Sequence, residues 1–260
     1  MQNNTFSTLF VGQNLIKLSA VDSTNNFLKN LLSKSEPLPE GTVIMADDQF
    51  AGRGMKENVW KVEPGKNLTI SILLKPTFLA LNKQFLLNMA ISIAVNNTLS
   101  AYLPTGLCIK WPNDVYYNDV KLGGVLIENT IIGNGIKNTV IGIGINVNQQ
   151  IFPDELSGKA TSLYQILQEN VNLNALLADL CSQIEALYLN LKANKDTILR
   201  ETYVQRLYKI NISALYRQNG EVFEGIITGV SDTGLLNMNK NGELVQFNFK
   251  EIEFINNNKA

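Results

Sequence analysis

The succession of apolar and polar positions divides the chain into recognisable elements. Asp22-Ser23-Thr24 precedes Phe27, Leu28, Leu31 and Leu32 at helical spacing, so a helix is expected to start at that cap and to end before Pro37 and Pro39. Gly41 to Ala46 reads as a buried strand opening into the loop Gln49-Phe50-Ala51-Gly52-Arg53-Gly54, and Leu68 to Leu74 alternates well enough for another strand. Asn82 to Leu103 carries Phe85, Met89 and Ile93 at i, i+4 spacing and stops before Pro104, which predicts a helix packed on a sheet. A short strand over Ile109 to Trp111, a hairpin turning near Asn118-Asp119, and strands over Val120 to Glu128 and Thr139 to Val147 follow. Leu173, Leu177, Leu180, Ile184, Leu187 and Leu191 form the stripe of a long amphipathic helix, too brief for a coiled coil and suited to covering the sheet.

After Tyr208 the pattern changes to short strands over Ile212 to Tyr216, Val222 to Val230, Gly234 to Met238 and Glu243 to Phe249. Asn219-Gly220, Asp232-Thr233-Gly234 and Asn241-Gly242 separate them. Turns at this spacing predict a small all-β barrel, and the tail from Asn256 to Ala260 is expected to fray. No internal repeat is visible, and no helix-turn-helix fits before Asp22.

Composition narrows the chemistry. Of 260 residues, 45% are hydrophobic and 17% charged, enough for a sizeable core. Lys plus Arg is 22 against 23 acidic residues, so no general attraction to nucleic acid or anionic membrane is expected. Cys108 and Cys181 lie in different segments without metal-ligand spacing, which fits a reduced, cytoplasmic compartment. Neither a signal peptide nor a run of the roughly 18 apolar residues needed to span a bilayer is read. There is no histidine, which removes histidine acid–base chemistry and every imidazole-bound zinc site. Catalysis must then rest on Lys, Arg, carboxylates and positioning.

Two segments stand apart from ordinary core and turn. In Gln49-Phe50-Ala51-Gly52-Arg53-Gly54, two glycines let backbone N–H groups face one ligand, and Arg53 can fork onto a carboxylate or phosphate. The bland alternative is a tight turn with a solvated arginine; neither a Walker A loop nor a dinucleotide fingerprint is present. Trp60 is either core or a base-stacking face. In Lys110-Trp111-Pro112-Asn113-Asp114, followed by Lys121-Leu122-Gly123-Gly124, the glycines let the chain pass close to a ligand and aim the Lys121 ammonium at it. Ser23-Thr24-Asn25 is a helix cap or a set of hydrogen bonds for a polar, neutral head.

In combination these motifs, with Asn67-Leu68, Ser71 and Gly142-Ile143-Gly144-Ile145-Asn146, closely resemble biotin protein ligase from about Asp22 to Asn148. The resemblance implies an α+β fold, a mixed β-sheet with packing helices of the class II synthetase-like, biotin–lipoate ligase kind. It would occupy residues 1–207, followed by a small SH3-like β-barrel over 208–260. It also implies that biotin's carboxylate attacks the α-phosphate of Mg-ATP, and that a carrier lysine then takes biotin from the adenylate. Ser23, Thr24, Asn25, Gln49 and Ser71 would meet the ureido head and ring, and Gly52, Gly54, Met55, Gly123 and Gly124 would border biotin. Arg53 and Lys121 would hold the carboxylate and α-phosphate, Trp60 and Asn146 the adenine, and Lys110 and Asn113 the nucleotide side. Asp114 would orient or deprotonate the incoming lysine. Magnesium would be carried by the ATP phosphates.

The implied partner is the biotin carboxyl carrier domain of acetyl-CoA carboxylase or a related carboxylase. A homodimer is possible in this family, and no DNA or membrane partner is carried over. Where many relatives continue the glycine-arginine loop with another Arg, Lys or Gln and a glycine, this chain reads Met55-Lys56-Glu57-Asn58-Val59. Retention of the adenylate is therefore expected to fall on Arg53, with Lys56 assisting. The rival readings are a lipoate-protein ligase or acyltransferase, and a non-catalytic biotin sensor or small β-barrel RNA binder.

Overall fold

The computed structural model describes residues 6–34, 37–54, 60 and 63–255. The elements run β1 (Leu15–Val21), α1 (Thr24–Leu32), β2 (Val43–Gln49), β3 (Leu68–Leu74), α2 (Phe85–Ser100), β4 (Leu107–Lys110), β5 (Asp114–Tyr117), β6 (Val120–Ile132) and β7 (Gly135–Ile145). Then come α3 (Leu163–Leu167), α4 (Leu173–Lys192), α5 (Asp196–Gln205), β8 (Ser213–Gln218), β9 (Glu221–Val230), β10 (Leu236–Lys240), β11 (Glu243–Phe247) and β12 (Glu253–Phe254). Among the described residues no helix is long and apolar enough to cross a membrane.

The first seven strands form one mixed sheet in the order β1-β2-β3-β7-β6-β5-β4, with β1 parallel to β2 and the other pairs antiparallel. Strand alternation sorts its side chains onto two faces. Leu68, Ile70, Ile72 and Leu74 of β3 join Ile141, Ile143 and Ile145 of β7 in the main core. That face is covered by α2, apolar and buried along nearly its whole length, with α4 packed behind it. The opposite face is only partly covered. There α1 sets Leu28 against Ile44, Leu73 and Val140, and beyond it the strands present small and polar residues instead.

A bulge decides what reaches that second face. Along β5 and β6, Tyr116 pairs with Lys121 but Val115 pairs with Gly123, so Leu122 is an extra residue on β6. Three residues apart, Lys121 and Gly124 would fall on opposite faces of a regular strand; the inserted residue brings them to the same one. Leu122 is meanwhile buried in the main core.

The five C-terminal strands correct the expectation of a barrel. They form an open sheet in the order β11-β10-β9-β8-β12. Closure would require the two end strands to meet, and β12 spans only Glu253–Phe254 and pairs with β8 alone. The residues between β11 and β12 turn instead toward the large sheet. Phe249 stacks on Trp111 with centroids 5.1 Å apart, and Trp111 Nε1 donates to the Gly234 carbonyl at 3.0 Å. Side-chain packing between the two sheets thus takes the place of strand pairing.

Candidate functional site

The partly covered face contains a cleft of about 120 Å³, open to solvent, floored by β3, β6 and β7. Glycine makes the floor flat. A Cβ at Gly142 would lie 2.5 Å from Asn25 Oδ1, one at Gly144 would run into the Trp60 indole, and one at Gly124 would come within 2.8 Å of Asp114 Oδ1. Thr69, Ile70, Pro112, Val125, Leu126 and Ile143 also line it.

One end of the cleft is a buried polar network at the start of α1. Ser23 occupies the N-cap position, yet its side chain makes no cap hydrogen bond; it lines the cleft instead. The Thr24 backbone N–H and hydroxyl both donate to Gln49 Oε1, at 2.9 and 3.1 Å. Ser71 Oγ lies 2.8 Å from Thr24 Oγ1 and 2.5 Å from Asn25 Oδ1. Ser71 itself is fully buried behind these residues, supporting them rather than lining the cleft.

Lys121 stands at the other end. Lys121 Nζ meets Asp114 Oδ2 at 2.7 Å and stands 5.9 Å from the centre of the Trp60 ring. Its backbone is clamped on both sides, the N–H donating to the Lys159 carbonyl and the carbonyl accepting from Thr161 N–H, each at 2.9 Å. The Trp60 N–H donates to the Gly52 carbonyl at 2.9 Å, and a Cβ at Gly52 would collide with the Trp60 carbonyl. The indole Nε1 of Trp60 is buried and meets no hydrogen-bond partner among the described residues.

Arg53 is held by a residue that the sequence reading passed over. Its Nη2 contacts both oxygens of Glu128, at 3.1 and 3.0 Å, while Lys29 Nζ and Asn25 Nδ2 each reach the same carboxylate at 2.8 Å. Burial alone would raise the Glu128 pKa. Hydrogen bonds from Lys29 and Asn25 and the charges of Lys29 and Arg53 outweigh it, and the carboxyl titrates below its usual range. Alternation along β6 could have revealed Glu128, since it follows Gly124 and Leu126 on the same face.

The cleft thus brings together Ser23, Thr24, Asn25, Gln49, Arg53, Gly54, Trp60, Asn113, Asp114, Lys121 and Gly124. Asn113 is fixed by a bond from its Nδ2 to Asn88 Oδ1 at 3.1 Å. Gly52 and Gly123 support the walls without lining them; a Cβ at Gly123 would lie 2.8 Å from the Gly144 carbonyl. Lys110 turns elsewhere, its Nζ 3.1 Å from Tyr116 Oη and 4.9 Å from the centre of the Phe254 ring. Burial there pushes its pKa down. Asn146 is buried and donates to the Thr161 carbonyl at 3.0 Å, bracing the segment that clamps Lys121. Met55 lies outside the described residues.

Chemically, the cleft offers a hydrogen-bonding end flanked by Arg53, a floor flattened by glycines, and Lys121 beside an aromatic face at the other end. The sequence profile of the biotin/lipoate A/B protein ligase family matches residues 18–146. The chain is 32% identical over 231 residues to the bifunctional ligase/repressor BirA of Bacillus spizizenii, covering 88% of this chain and 70% of that one. It is 27% identical to the biotin–[acetyl-CoA-carboxylase] ligase of Paracoccus denitrificans, over 84% of this chain and 91% of its relative. Among solved structures, the biotin protein ligase from Aquifex aeolicus in complex with biotin and ATP superposes with a TM-score of 0.78 at 26% identity, covering 92% of this chain and 97% of that one. Sequence and architecture agree: the chain belongs to the biotin/lipoate A/B protein ligase family.

Proposed function

We infer that this chain is an ATP-dependent ligase that activates biotin as biotinyl-5′-AMP and transfers the biotinyl group to a lysine of a carrier protein. The observation that carries the reading is the placement of Lys121 and Trp60 at one end of an apolar floor whose other end is the Thr24–Asn25–Gln49 network. In the first step a carboxylate oxygen of biotin bonds to the α-phosphorus of ATP, and pyrophosphate leaves with the electron pair of the broken P–O bond. In the second, the amine of the carrier lysine attacks the acyl carbon, loses a proton, and AMP departs.

The joining of two anions needs charge neutralisation more than a side-chain nucleophile. We assign that task to Lys121, with Arg53 holding the carboxylate and phosphate from the other wall. Trp60 offers a stacking face for adenine and a buried indole N–H that meets no acceptor among the described residues. Asp114, a carboxylate lining the cleft, is assigned to orient the incoming lysine or take its proton. We assign magnesium as an ion carried on the triphosphate. We assign this chemistry to residues 1–207, and the carrier to a biotin carboxyl carrier domain of a carboxylase.

The test incubates the purified chain with biotin, ATP, magnesium and a carrier domain, and reads the carrier by mass. A single biotinyl addition is expected, absent when biotin is omitted and when the carrier lysine is replaced. Lipoylation from lipoate in the same assay, without biotinylation, would refute the assignment.

A further inference from the structure

We propose that Glu128 is a positioning residue for this reaction, and that with Lys29 it forms a seat that fixes the polarity of Asn25 and the charge presented by Arg53. The proposal rests on the biotin ligase reading. Neither Glu128 nor Lys29 lines the cleft, so each would act through a neighbour.

The first effect concerns hydrogen-bond direction. An ionised carboxylate only accepts, so Asn25 must turn Nδ2 toward Glu128 and Oδ1 toward Ser71, as found at 2.8 and 2.5 Å. At the far end of the network the Thr24 backbone N–H, which only donates, fixes Gln49 Oε1. Donors and acceptors between these two ends are therefore set before a ligand arrives. Gly142 lets the Asn25 amide lie flat on the floor, where a flipped amide would present the wrong partner to a ureido head.

The second effect concerns charge. Glu128 carries two cations, Lys29 at 2.8 Å and Arg53 at 3.0 Å. Without Lys29, the carboxylate would neutralise Arg53 and leave little attraction for an anion. With it, Glu128, Lys29 and Arg53 together keep one net positive charge, and the Asp22 carboxylate acts on Arg53 from farther off. Arg53 reaches Glu128 through Nη2, so Nε and Nη1 stay outside that contact. A guanidinium anchored by one nitrogen can present the others to a carboxylate or phosphate.

These two effects separate experimentally. Biotin and biotin amide, whose tail is neutral, are titrated calorimetrically into the full chain and into Glu128→Gln and Lys29→Gln. Glu128→Gln is expected to weaken both ligands, by about tenfold or more, since the Asn25 amide loses its fixed acceptor. Lys29→Gln is expected to weaken biotin severalfold, with a shallower salt dependence, and to leave biotin amide unchanged. Wild-type affinity in Glu128→Gln, or equal weakening of both ligands in Lys29→Gln, would overturn the proposal. A Glu128→Gln chain that does not fold leaves the Lys29→Gln comparison to decide. Failure of the wild-type chain to bind biotin at all would count against the ligase reading instead.

Discussion

Lys121 Nζ stands 2.7 Å from Asp114 Oδ2 because Leu122 bulges out of register between their strands. Without that extra residue the ammonium would face α2 and the main core. The ion pair is only moderately buried, with both side chains 31% exposed, so its contribution to stability is small. Its value lies in where it holds the ammonium.

Replacing Lys121 by Met should leave folding intact and remove most adenylate formation. A cation at the developing phosphorane charge contributes several kcal/mol, so a loss of about a hundred- to a thousandfold in rate is expected. Biotin-dependent exchange of labelled pyrophosphate into ATP measures the step, with circular dichroism as the control. A near-normal exchange rate would show that Lys121 does not carry the charge.

Gly144→Ala should act on the nucleotide alone. Its methyl group would displace the Trp60 indole from the floor, and base–aromatic stacking contributes about 1–3 kcal/mol. We expect KM for ATP to rise about tenfold or more while biotin affinity changes little, with an altered Trp60 fluorescence spectrum. Equal losses for both substrates would place Trp60 in a general structural role.

Trp111→Phe tests the joint between the two sheets. Phenylalanine keeps a ring to stack on Phe249 but cannot donate to the Gly234 carbonyl, a bond of 3.0 Å in a buried setting. A destabilisation of about 1–2 kcal/mol is expected, with faster amide exchange in β10 than in β3. Uniform exchange across both sheets would argue that they do not separate at this contact.

Burial pushes the thiols of both Cys108 and Cys181 up from 9.0 to about 12. An unfolded chain would therefore lose these protons near pH 9 while the folded chain keeps them. Their contribution to stability is complete below pH 9.0 and is lost as pH rises toward about 12. Iodoacetamide at pH 8 should label neither residue until denaturant is added; rapid labelling of the native chain would contradict the shift.

What the sequence made legible follows from how local each signal is. The helix of Phe85, Met89 and Ile93 and the stripe from Leu173 to Leu191 carry their own periodicity, and both appear as α2 and α4. β1 and α5 went unread for the opposite reason. β1 is an edge strand whose pairing with β2 is parallel and whose exposure is uneven, while α5 buries only Leu199 and Tyr203. The glycine-arginine loop and the segment from Lys110 to Gly124 announced themselves by residue type. Glu128 did not; alternation along β6 puts it on the face of Gly124 and Leu126, but its partners Asn25 and Lys29 of α1 and Arg53 of the loop come from two distant segments. The barrel was misread because turn spacing reports hairpins, whereas closure depends on whether the first and last strands meet.

The row of glycines at 124, 142 and 144 leaves one layer of this protein unfinished. Where α1 stops, no helix of the described residues lies over the sheet, and an occupant of the cleft would help to complete its second face. A ligand there serves as a removable piece of the core. Its binding should therefore bear the thermodynamic marks of folding, with a negative heat-capacity change and a rise in melting temperature. Substrate release, by the same reasoning, is a small and local act of unfolding.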